Sequence, residues 1–276
     1  MINKSLAPIV LFVYNRPDTT QATLQALALN KLAIESRLII FADGPKVTTS
    51  NEEKEAILQV RAVIRNWTDH FGEVVIKERE QNLGLAKSII TGVSEVIKVY
   101  RKVIVLEDDL ITAPGFLAFM NEGLTKYAAV DKVFGLTGFK APSRRPRLHN
   151  TFFLPVMSSW SWGTWANRWE SVSFDGPALL KEIEARGEGK DMNINGYDFY
   201  HMLKSQVAGE INSWAIRFYT SMFLQCKWFL YPSYSLVQNI GFGENATHTG
   251  GKHFLARVVV ERDYLVVDDP PLKIDS

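Results

Sequence analysis

The sequence predicts an α/β fold in which a mostly parallel sheet is flanked by helices. Four short apolar runs recur in the first half of the 276-residue chain, and segments with helical periodicity separate them. The runs are continuous in Val, Ile, Leu and Phe rather than alternating with polar residues. Buried parallel strands have this composition because helices cover both faces of their sheet. The first half is therefore expected to consist of successive strand–helix–strand units.

The elements of the first half follow one another in a regular order. The apolar runs predict strands at residues 8–14, 37–43, 73–78 and 102–108, with a further strand at 133–136. Helices are predicted from Pro17 onward and at residues 51–67, 85–100 and 114–127. Pro17 marks the first helix because proline is tolerated in the first helical turn.

The second half has a weaker pattern. Its last predicted helix covers residues 213–226, and residues 158–161 are predicted to form a strand or loop that lines a pocket. Trp162, Trp165 and Trp169 are spaced three and four residues apart, which predicts a helical stripe that faces the core. Indole rings also stack on sugar rings, so a binding role is the alternative.

Composition and charge narrow the class of protein. With 46% hydrophobic and 22% charged residues, the chain is expected to be globular. Its formal net charge of +1 gives no general attraction to nucleic acid, so no nucleic-acid partner is expected. No apolar stretch approaches the roughly 20 residues that a membrane-spanning helix requires, and the single Cys226 fits a reducing compartment. We expect a cytoplasmic protein, either free or in peripheral contact with the inner face of the membrane.

Three successive carboxylates, Glu107, Asp108 and Asp109, end the fourth predicted strand. Ligands bind at the carboxyl ends of the strands in open α/β sheets. Mg²⁺ and Mn²⁺ prefer oxygen ligands, and Mg²⁺ commonly takes one or two carboxylates together with substrate phosphates. This acidic triplet therefore predicts a site for Mn²⁺ or Mg²⁺, and the alternative is a solvated strand end with ordinary helix-capping acids.

Four segments together resemble a known family. They are Tyr-Asn-Arg-Pro at 14–17, Phe-Ala-Asp-Gly-Pro at 41–45, Asn-Leu-Gly-Leu-Ala at 82–86 and Leu-Glu-Asp-Asp-Leu at 106–110. In this order they resemble the nucleotide-binding half of GT-A type glycosyltransferases, especially family-2-like bacterial enzymes and the N-acetylglucosaminyltransferase I family.

The resemblance implies a GT-A, Rossmann-like fold with two functional halves in one domain. Residues 1–140 are then expected to bind the nucleotide sugar, and residues 141–276 are expected to bind the acceptor.

The resemblance also implies roles for residues near the nucleotide. It places Asp43 near the nucleoside, Arg16 on the diphosphate, Asn82 and Gly84 near the nucleotide and donor sugar, and Asp108 near the donor sugar or ribose. The alternatives are that Asp43 is a turn aspartate, since Asp-Gly-Pro is a strong turn signal, and that Arg16 forms a surface ion pair.

The same resemblance suggests the ligands of the metal. Asp109 matches the position that contacts the metal directly, and Glu107 more often supports it. His248 lies in a late Gly-rich segment, where some GT-A enzymes place a histidine that completes the metal shell. The alternative is a polar histidine in a loop.

The catalytic base is less clear from the sequence. The N-acetylglucosaminyltransferase I family places an aspartate ahead of a Trp and an Arg, whereas Asn212 and Ser213 stand before Trp214 in this chain. Glu210 is the nearest carboxylate and the first choice, and Asp198 is the second. The alternative for Glu210 is an acid that is stabilised by a helix N-terminus.

These inferences predict a metal-dependent glycosyltransferase. It would move a sugar from a nucleotide-diphosphate donor, with a UDP-sugar favoured, to a hydroxyl of a glycan or lipid-linked saccharide, with inversion. One alternative is a non-catalytic carbohydrate-binding protein of the same fold. Another is a sugar nucleotidyltransferase, although the glycine-rich segment expected after its first strand is absent.

Overall fold

The computed structural model describes residues 2–142, 149–194, 196–242 and 266–271. In chain order, the strands of these residues are β1 (Ile9–Val13), β2 (Arg37–Ala42), β3 (Glu73–Glu78), β4 (Lys102–Glu107), β5 (Leu110–Thr112), β6 (Val133–Thr137), β7 (Thr151–Leu154), β8 (Trp162–Trp165), β9 (Trp228–Pro232) and β10 (Val237–Asn239).

The helices of the same residues are α1 (Pro17–Ala28), α2 (Asn51–Arg65), α3 (Leu85–Tyr100), α4 (Phe116–Lys126), α5 (Ala166–Trp169), α6 (Gly176–Arg186), α7 (Phe199–Val207) and α8 (Trp214–Leu224). The predicted helices and strands of the first half are therefore confirmed, with ends that differ by at most two residues. Throughout the described ranges, each helix is too short or too polar to cross a lipid bilayer.

The central sheet has eight strands in the order β3-β2-β1-β4-β8-β6-β9-β7. The four strands predicted to be parallel, β1 to β4, are parallel. β8 runs antiparallel between β4 and β6, β9 is parallel to β6, and β7 is antiparallel to β9. Six strands therefore share one direction, and β1, β2 and β4 end at one edge of the sheet, hereafter the carboxyl edge. The α/β prediction of a mostly parallel sheet is confirmed.

Helices cover both faces of this sheet, and each face has its own core. Side chains of α1, α2 and α4 pack on one face, together with alternate residues of β1 such as Ile9 and Leu11. Side chains of α3, α6, α7 and α8 pack on the other face with Val10 and Phe12. Burial on both faces explains why β1 is apolar along its whole length.

The predicted helical stripe of tryptophans is wrong. Trp162 and Trp165 lie in β8, and only Trp169 lies in a helix, although all three are buried. Residues three apart on a strand point to opposite faces, and Trp162 and Trp165 accordingly belong to different cores. Gly163 allows the close approach of neighbouring strands, since a Cβ atom there would lie 3.1 Å from the carbonyl oxygen of Val103. Strand pairing, which is a tertiary interaction, overrides the local spacing.

A second, two-stranded sheet brings a late segment back to the acidic triplet. β5 follows the triplet directly and pairs antiparallel with β10, so that Asn239 lies opposite Leu110. Residues 239–241 therefore lie beside the end of β4.

Buried hydrogen bonds attach β5 to α1. The hydroxyl oxygen of Thr23 accepts a hydrogen bond from the Leu110 amide at 3.1 Å. Asn30 donates to the Thr112 hydroxyl at 3.1 Å and accepts from the Leu117 amide at 2.9 Å. Because buried polar groups are costly when unpaired, these bonds fix the chain after the triplet to α1 and to the residues that follow this helix.

The segment 266–271 is held against α4 and β7. Val267 is buried in the core, and its carbonyl oxygen accepts a hydrogen bond from Lys126 at 2.8 Å. The Asp268 carboxylate accepts hydrogen bonds from the amides of Asn150 and Thr151 at 2.8 and 2.9 Å, and also from the Thr151 hydroxyl. The carboxylate thereby satisfies backbone donors at the outer edge of β7.

We expect Asp268→Asn to lower the free energy of unfolding at pH 7 by about 1–3 kcal/mol, because hydrogen bonds to a charged acceptor weaken. Burial alone would raise the pKa of Asp268, but hydrogen bonds from Thr151 and Asn150 outweigh it and hold this pKa below its usual value. This stabilisation is present above the ordinary pKa and is lost as the pH falls through the lowered value. The difference between the variant and the wild type should therefore shrink in acid. Urea unfolding across pH measures it.

Asp269→Asn is the matched control for this experiment. The Asp269 side chain is 82% exposed and pairs with Lys126 at the surface, so its loss should cost less than about 1 kcal/mol. Equal losses in the two variants would contradict the anchoring role of Asp268.

Candidate functional site

The acidic triplet lies at the carboxyl edge of the sheet. Glu107 is the last residue of β4, and Asp108 and Asp109 follow it in the turn that leads to β5. β1 lies next to β4 in the sheet, and β2 lies on the far side of β1. Residues that follow β1 therefore lie close to the triplet. Three consecutive acidic residues therefore lie where parallel strands end.

Arg16 bridges two of these carboxylates. It immediately precedes α1, and its Nη1 atom lies 3.0 Å from Oδ2 of Asp109 while its other terminal nitrogen contacts Asp108. The Tyr14 amide donates a further hydrogen bond to Asp108 at 3.4 Å. The Asp108 side chain is only 4% exposed, so this arginine compensates a charge that water reaches poorly. Arg16 therefore forms an ion pair, as the alternative had it, but the pair is partly buried rather than at the surface.

Negative charge still exceeds positive charge in the triplet. Burial, together with the charges of Asp109 and Asp108, raises the pKa of Glu107 to about 8. Burial also raises the pKa of Asp108 to about 6, although Arg16 opposes that shift. Burial is the larger cause of both shifts, and the charges of the neighbouring carboxylates add to it. A further cation at this edge would favour the ionised forms.

Asp43 connects the end of β2 to the start of α3. Its carboxylate accepts hydrogen bonds from the Leu83 amide at 3.1 Å and the Gly84 amide at 3.2 Å, and Arg79 lies 3.7 Å away. Gly84 precedes α3 with a φ of +74° and offers no capping side chain. Asp43 therefore accepts hydrogen bonds, from another part of the chain, from the two backbone amides that lead into α3. Arg79 was not identified from the sequence, because its partner lies far away along the chain.

Asn82 and Gly44 lock the two loops around Asp43 together. The side chain of Asn82 donates to the Gly44 carbonyl at 3.0 Å, and its amide donates to the Pro45 carbonyl at 3.1 Å. A Cβ atom at position 44 would lie 2.5 Å from the Gln81 amide nitrogen, so only glycine fits this approach. Asp43, Asn82 and Gly84, which were singled out from the sequence, are thus neighbours in the structure.

Gly241 packs directly against Asp109. A Cβ atom at position 241 would lie 2.2 Å from Oδ2 of Asp109, and the Ile240 amide donates to the Asp109 carbonyl at 2.8 Å. Only the glycine-rich composition of this late segment hinted at such a contact. The segment after β10 is therefore part of the surroundings of the triplet.

The carboxylates at this edge are oxygen donors of the type that a hard divalent cation takes together with phosphate oxygens. Asp109 and Glu107 provide carboxylate oxygens, and the Asp109 side chain is 13% exposed. Within the described ranges, no group of three or more His, Cys, Asp or Glu side chains is arranged to hold a metal alone. Mg²⁺ often needs only one or two protein carboxylates when a phosphate supplies the remaining oxygens. His248 lies outside the described residues.

The two carboxylates considered for the base lie at opposite ends of α7. Asp198 caps the start of α7 and accepts a hydrogen bond from the His201 amide at 3.0 Å. Glu210 follows the end of α7, and its Oε2 accepts a hydrogen bond from the Ser205 hydroxyl at 2.6 Å. Both side chains are exposed.

The packing of α8 shows which end of α7 lies nearer the carboxyl edge. Trp214 begins α8 and lies 5.1 Å, ring centre to ring centre, from Trp162, which pairs with Val105 near the end of β4. The chain then leaves α8 and enters β9, a strand that ends in the direction of the carboxyl edge. α7 runs antiparallel to α8, because Phe199 contacts Tyr219 while the Ser213 amide bonds Gln206. The structure therefore brings Glu210 toward the carboxyl edge and places Asp198 toward the opposite edge.

Several solved structures resemble this chain distantly. A galactosyltransferase, LgtC, in complex with donor and acceptor sugar analogs is 10% identical, with a TM-score of 0.41, covering 90% of this chain and 95% of that one. UDP-glucose pyrophosphorylase complexed with UDP-glucose is 12% identical, with a TM-score of 0.40 and coverages of 82% and 90%. The glycosyltransferase GlyE of Streptococcus pneumoniae TIGR4 is 11% identical, with a TM-score of 0.36 and coverages of 73% and 43%. No protein-family model and no curated protein matches the sequence. Similarity at this level does not assign a family.

We expect Arg16→Gln to lower the free energy of unfolding by roughly 3 kcal/mol, because it leaves Asp108 buried without its charged partner. Added Mg²⁺ or Mn²⁺ should stabilise this variant more than the wild type, since the cation would replace the missing positive charge. Urea unfolding and thermal melting with and without the cation measure both effects.

The matched control is Lys77→Gln, which removes a cation from an exposed pair with Glu95. That change should cost less than about 1 kcal/mol. The charge-compensating role of Arg16 is contradicted if Arg16→Gln is as stable as Lys77→Gln.

Proposed function

We propose that this protein is a metal-dependent glycosyltransferase. It moves a sugar from a nucleotide-diphosphate donor, with a UDP-sugar favoured, to a hydroxyl of a glycan or lipid-linked saccharide. The observation that carries the proposal is the acidic triplet at the carboxyl edge, with Asp108 and Asp109 bridged by Arg16. A site that combines excess carboxylate charge with one arginine suits a ligand that brings both a cation and phosphate oxygens.

The donor is proposed to lie between the loops that follow β1, β2 and β3. Arg16 is proposed to pair with the diphosphate in exchange for its contacts with Asp108 and Asp109, because a planar guanidinium suits phosphate oxygens. Asp43, Asn82 and Gly84 would border the nucleoside and donor sugar, and Asp108 would border the ribose or donor sugar. The hydrogen bonds from the Leu83 and Gly84 amides to Asp43 hold this border rigid.

Asp109 is proposed as the main ligand of Mn²⁺ or Mg²⁺, with Glu107 in support and His248 as a further ligand. When bound, the cation supplies positive charge that stabilises the leaving diphosphate. The backbone of Gly241 packs against Asp109, which limits the positions open to this carboxylate. That restriction favours a single geometry for the ligands.

Glu210 is proposed as the base that activates the acceptor. Its carboxylate would take the proton of the acceptor hydroxyl while the hydroxyl oxygen attacks the anomeric carbon. The bond from that carbon to the diphosphate oxygen breaks, and the diphosphate keeps the electron pair. Attack opposite the leaving group inverts the anomeric centre. Ser205, which donates to Glu210 at 2.6 Å, orients the carboxylate.

A non-catalytic nucleotide-sugar-binding protein is the second candidate. The observation that favours it is the pair Asn212 and Ser213. These residues stand where the N-acetylglucosaminyltransferase I family, which this sequence resembles, has a catalytic aspartate. The side chain of Asn212 accepts a hydrogen bond from Arg217 at 3.3 Å, and the Ser213 hydroxyl accepts one from the Ile216 amide. These two polar side chains carry no base that could activate an acceptor.

Asp109→Asn should reduce metal-dependent hydrolysis of a UDP-sugar by roughly a thousandfold or more. Loss of the metal removes several kcal/mol of charge stabilisation, and each 1.36 kcal/mol is about tenfold in rate. Thermal melting with UDP-, GDP-, CMP- and dTDP-sugars, with and without Mn²⁺, identifies the nucleotide that raises the melting temperature of the wild type. Hydrolysis is then assayed with that donor.

Asp69→Asn is the control for this assay, because Asp69 is exposed and lies away from the carboxyl edge. It should keep wild-type turnover. Wild-type turnover by folded Asp109→Asn would contradict the proposal that Asp109 binds the metal. Nucleotide-sugar binding without any turnover in the wild type would favour the non-catalytic candidate.

Glu210→Gln should lower kcat for transfer or hydrolysis by roughly 10²–10⁴-fold, the usual contribution of a general base. Asp198→Asn should leave kcat unchanged and lower the free energy of unfolding by about 1 kcal/mol, because Asp198 caps α7. Steady-state kinetics and urea unfolding of both variants measure these effects. Unchanged kcat in Glu210→Gln would show that the base lies elsewhere.

A further inference from the structure

Trp160 lies at the carboxyl edge, and its indole nitrogen differs in hydrogen bonding from those of Trp165 and Trp169. It lies two residues before β8, beside the point where β6 ends, and its side chain is half-buried. The indole nitrogens of Trp165 and Trp169 donate to Leu124 and Ser94 inside the protein at 2.9 and 2.8 Å. No such hydrogen bond from the Trp160 nitrogen occurs within the described part of the chain. This indole is therefore partly exposed, and its N–H has no acceptor among the described residues.

A strained turn holds Trp160 in this position. The next residue, Ser161, is fully buried and has a φ of +55°, a left-handed conformation that costs roughly 1–2 kcal/mol for a residue with a side chain. The Thr137 hydroxyl donates to the carbonyls of Trp160 and Ser161 at 3.1 and 2.7 Å, and the Gly138 amide donates to the Ser161 hydroxyl at 3.2 Å. Backbone strain that several hydrogen bonds maintain is typical of functional sites.

Two phenylalanine rings surround the indole and connect it to the triplet. The ring centres of Phe139 and Phe242 lie 4.4 and 5.5 Å from that of Trp160, both at steep angles. Phe242 follows Gly241, which packs against Asp109. The aromatic group formed by Trp160, Phe139 and Phe242, hereafter the aromatic platform, therefore lies next to the proposed metal ligand.

We propose that the aromatic platform binds a pyranose ring, with the Trp160 indole against the apolar C–H face of the sugar. This inference rests on the proposed function, since the position beside Asp109 is where the reacting sugars would meet. A large flat ring with a polar N–H suits a ligand that is apolar on one face and hydroxylated at its rim. The sugar is either that of the donor or that of the acceptor, because both must lie near the diphosphate.

Calorimetric titration of the Trp160→Ala variant with UDP and with a UDP-hexose, in the presence of Mn²⁺, tests the donor. If the platform holds the donor sugar, UDP-hexose should bind about tenfold more weakly while UDP binds as to the wild type. Saturation-transfer NMR with methyl hexopyranosides, in the presence of UDP, tests the acceptor. If the platform holds the acceptor, signals from the pyranoside should decrease in the variant while UDP-hexose binding is kept.

Two further variants make the result specific. Trp160→Phe keeps an aromatic face and should retain most of the binding, which separates stacking from damage to the fold. Trp67→Ala is the control, because Trp67 is also partly buried but its nitrogen bonds Gln21, away from the triplet.

Unchanged binding of both UDP-hexose and methyl pyranosides in folded Trp160→Ala would contradict the proposal that the aromatic platform binds a pyranose ring. An equal loss of binding in Trp67→Ala would also contradict it. Failure of the proposed function gives a different result, since the wild type would then bind neither UDP nor UDP-hexose.

Discussion

The bridge that Arg16 forms between Asp108 and Asp109 is the interaction on which the site depends. Three acidic residues in a row at a poorly hydrated strand end repel one another unless a cation lies among them. The arginine comes from the start of α1, so β1, α1 and β4 must keep fixed relative positions. Hydrogen bonds from Leu110 to Thr23 and from Asn30 to Thr112 hold the other side of this unit. The packing of these elements therefore fixes the positions of Arg16, Asp108 and Asp109 relative to one another.

One arginine does not balance the whole triplet. Burial is the largest cause of the raised pKa values of Glu107 and Asp108, and the charges of the neighbouring carboxylates raise them further. Such an edge is suited to ligands that arrive with their own cation, and a nucleoside diphosphate is one of these. The same edge carries Gly241 and, through Phe242, the aromatic platform. The acidic triplet, the close approach of Gly241 and the aromatic platform thus lie at the same edge of the sheet.

The sequence predicted β1 to β4 and α1 to α4 because buried parallel strands and amphipathic helices leave local patterns. β8 was missed, since Trp162 and Trp165 form a strand only through pairing with β4 and β6. The triplet could be singled out as a candidate site, whereas its contact with Arg16 could not be predicted, because more than ninety residues separate Arg16 from Asp108 and Asp109 along the chain. The base stays a prediction, because the irregular second half carries no pattern that fixes where Glu210 lies.

A structure of the protein with UDP-hexose and Mn²⁺ tests whether the acidic triplet binds the donor through a metal, because manganese is located by its anomalous scattering. One manganese peak is expected within bonding distance of an Asp109 carboxylate oxygen and of diphosphate oxygens, with Arg16 next to the diphosphate. Nucleotide bound away from the carboxyl edge, or a manganese peak that Asp109 does not contact, would contradict this mode of donor binding.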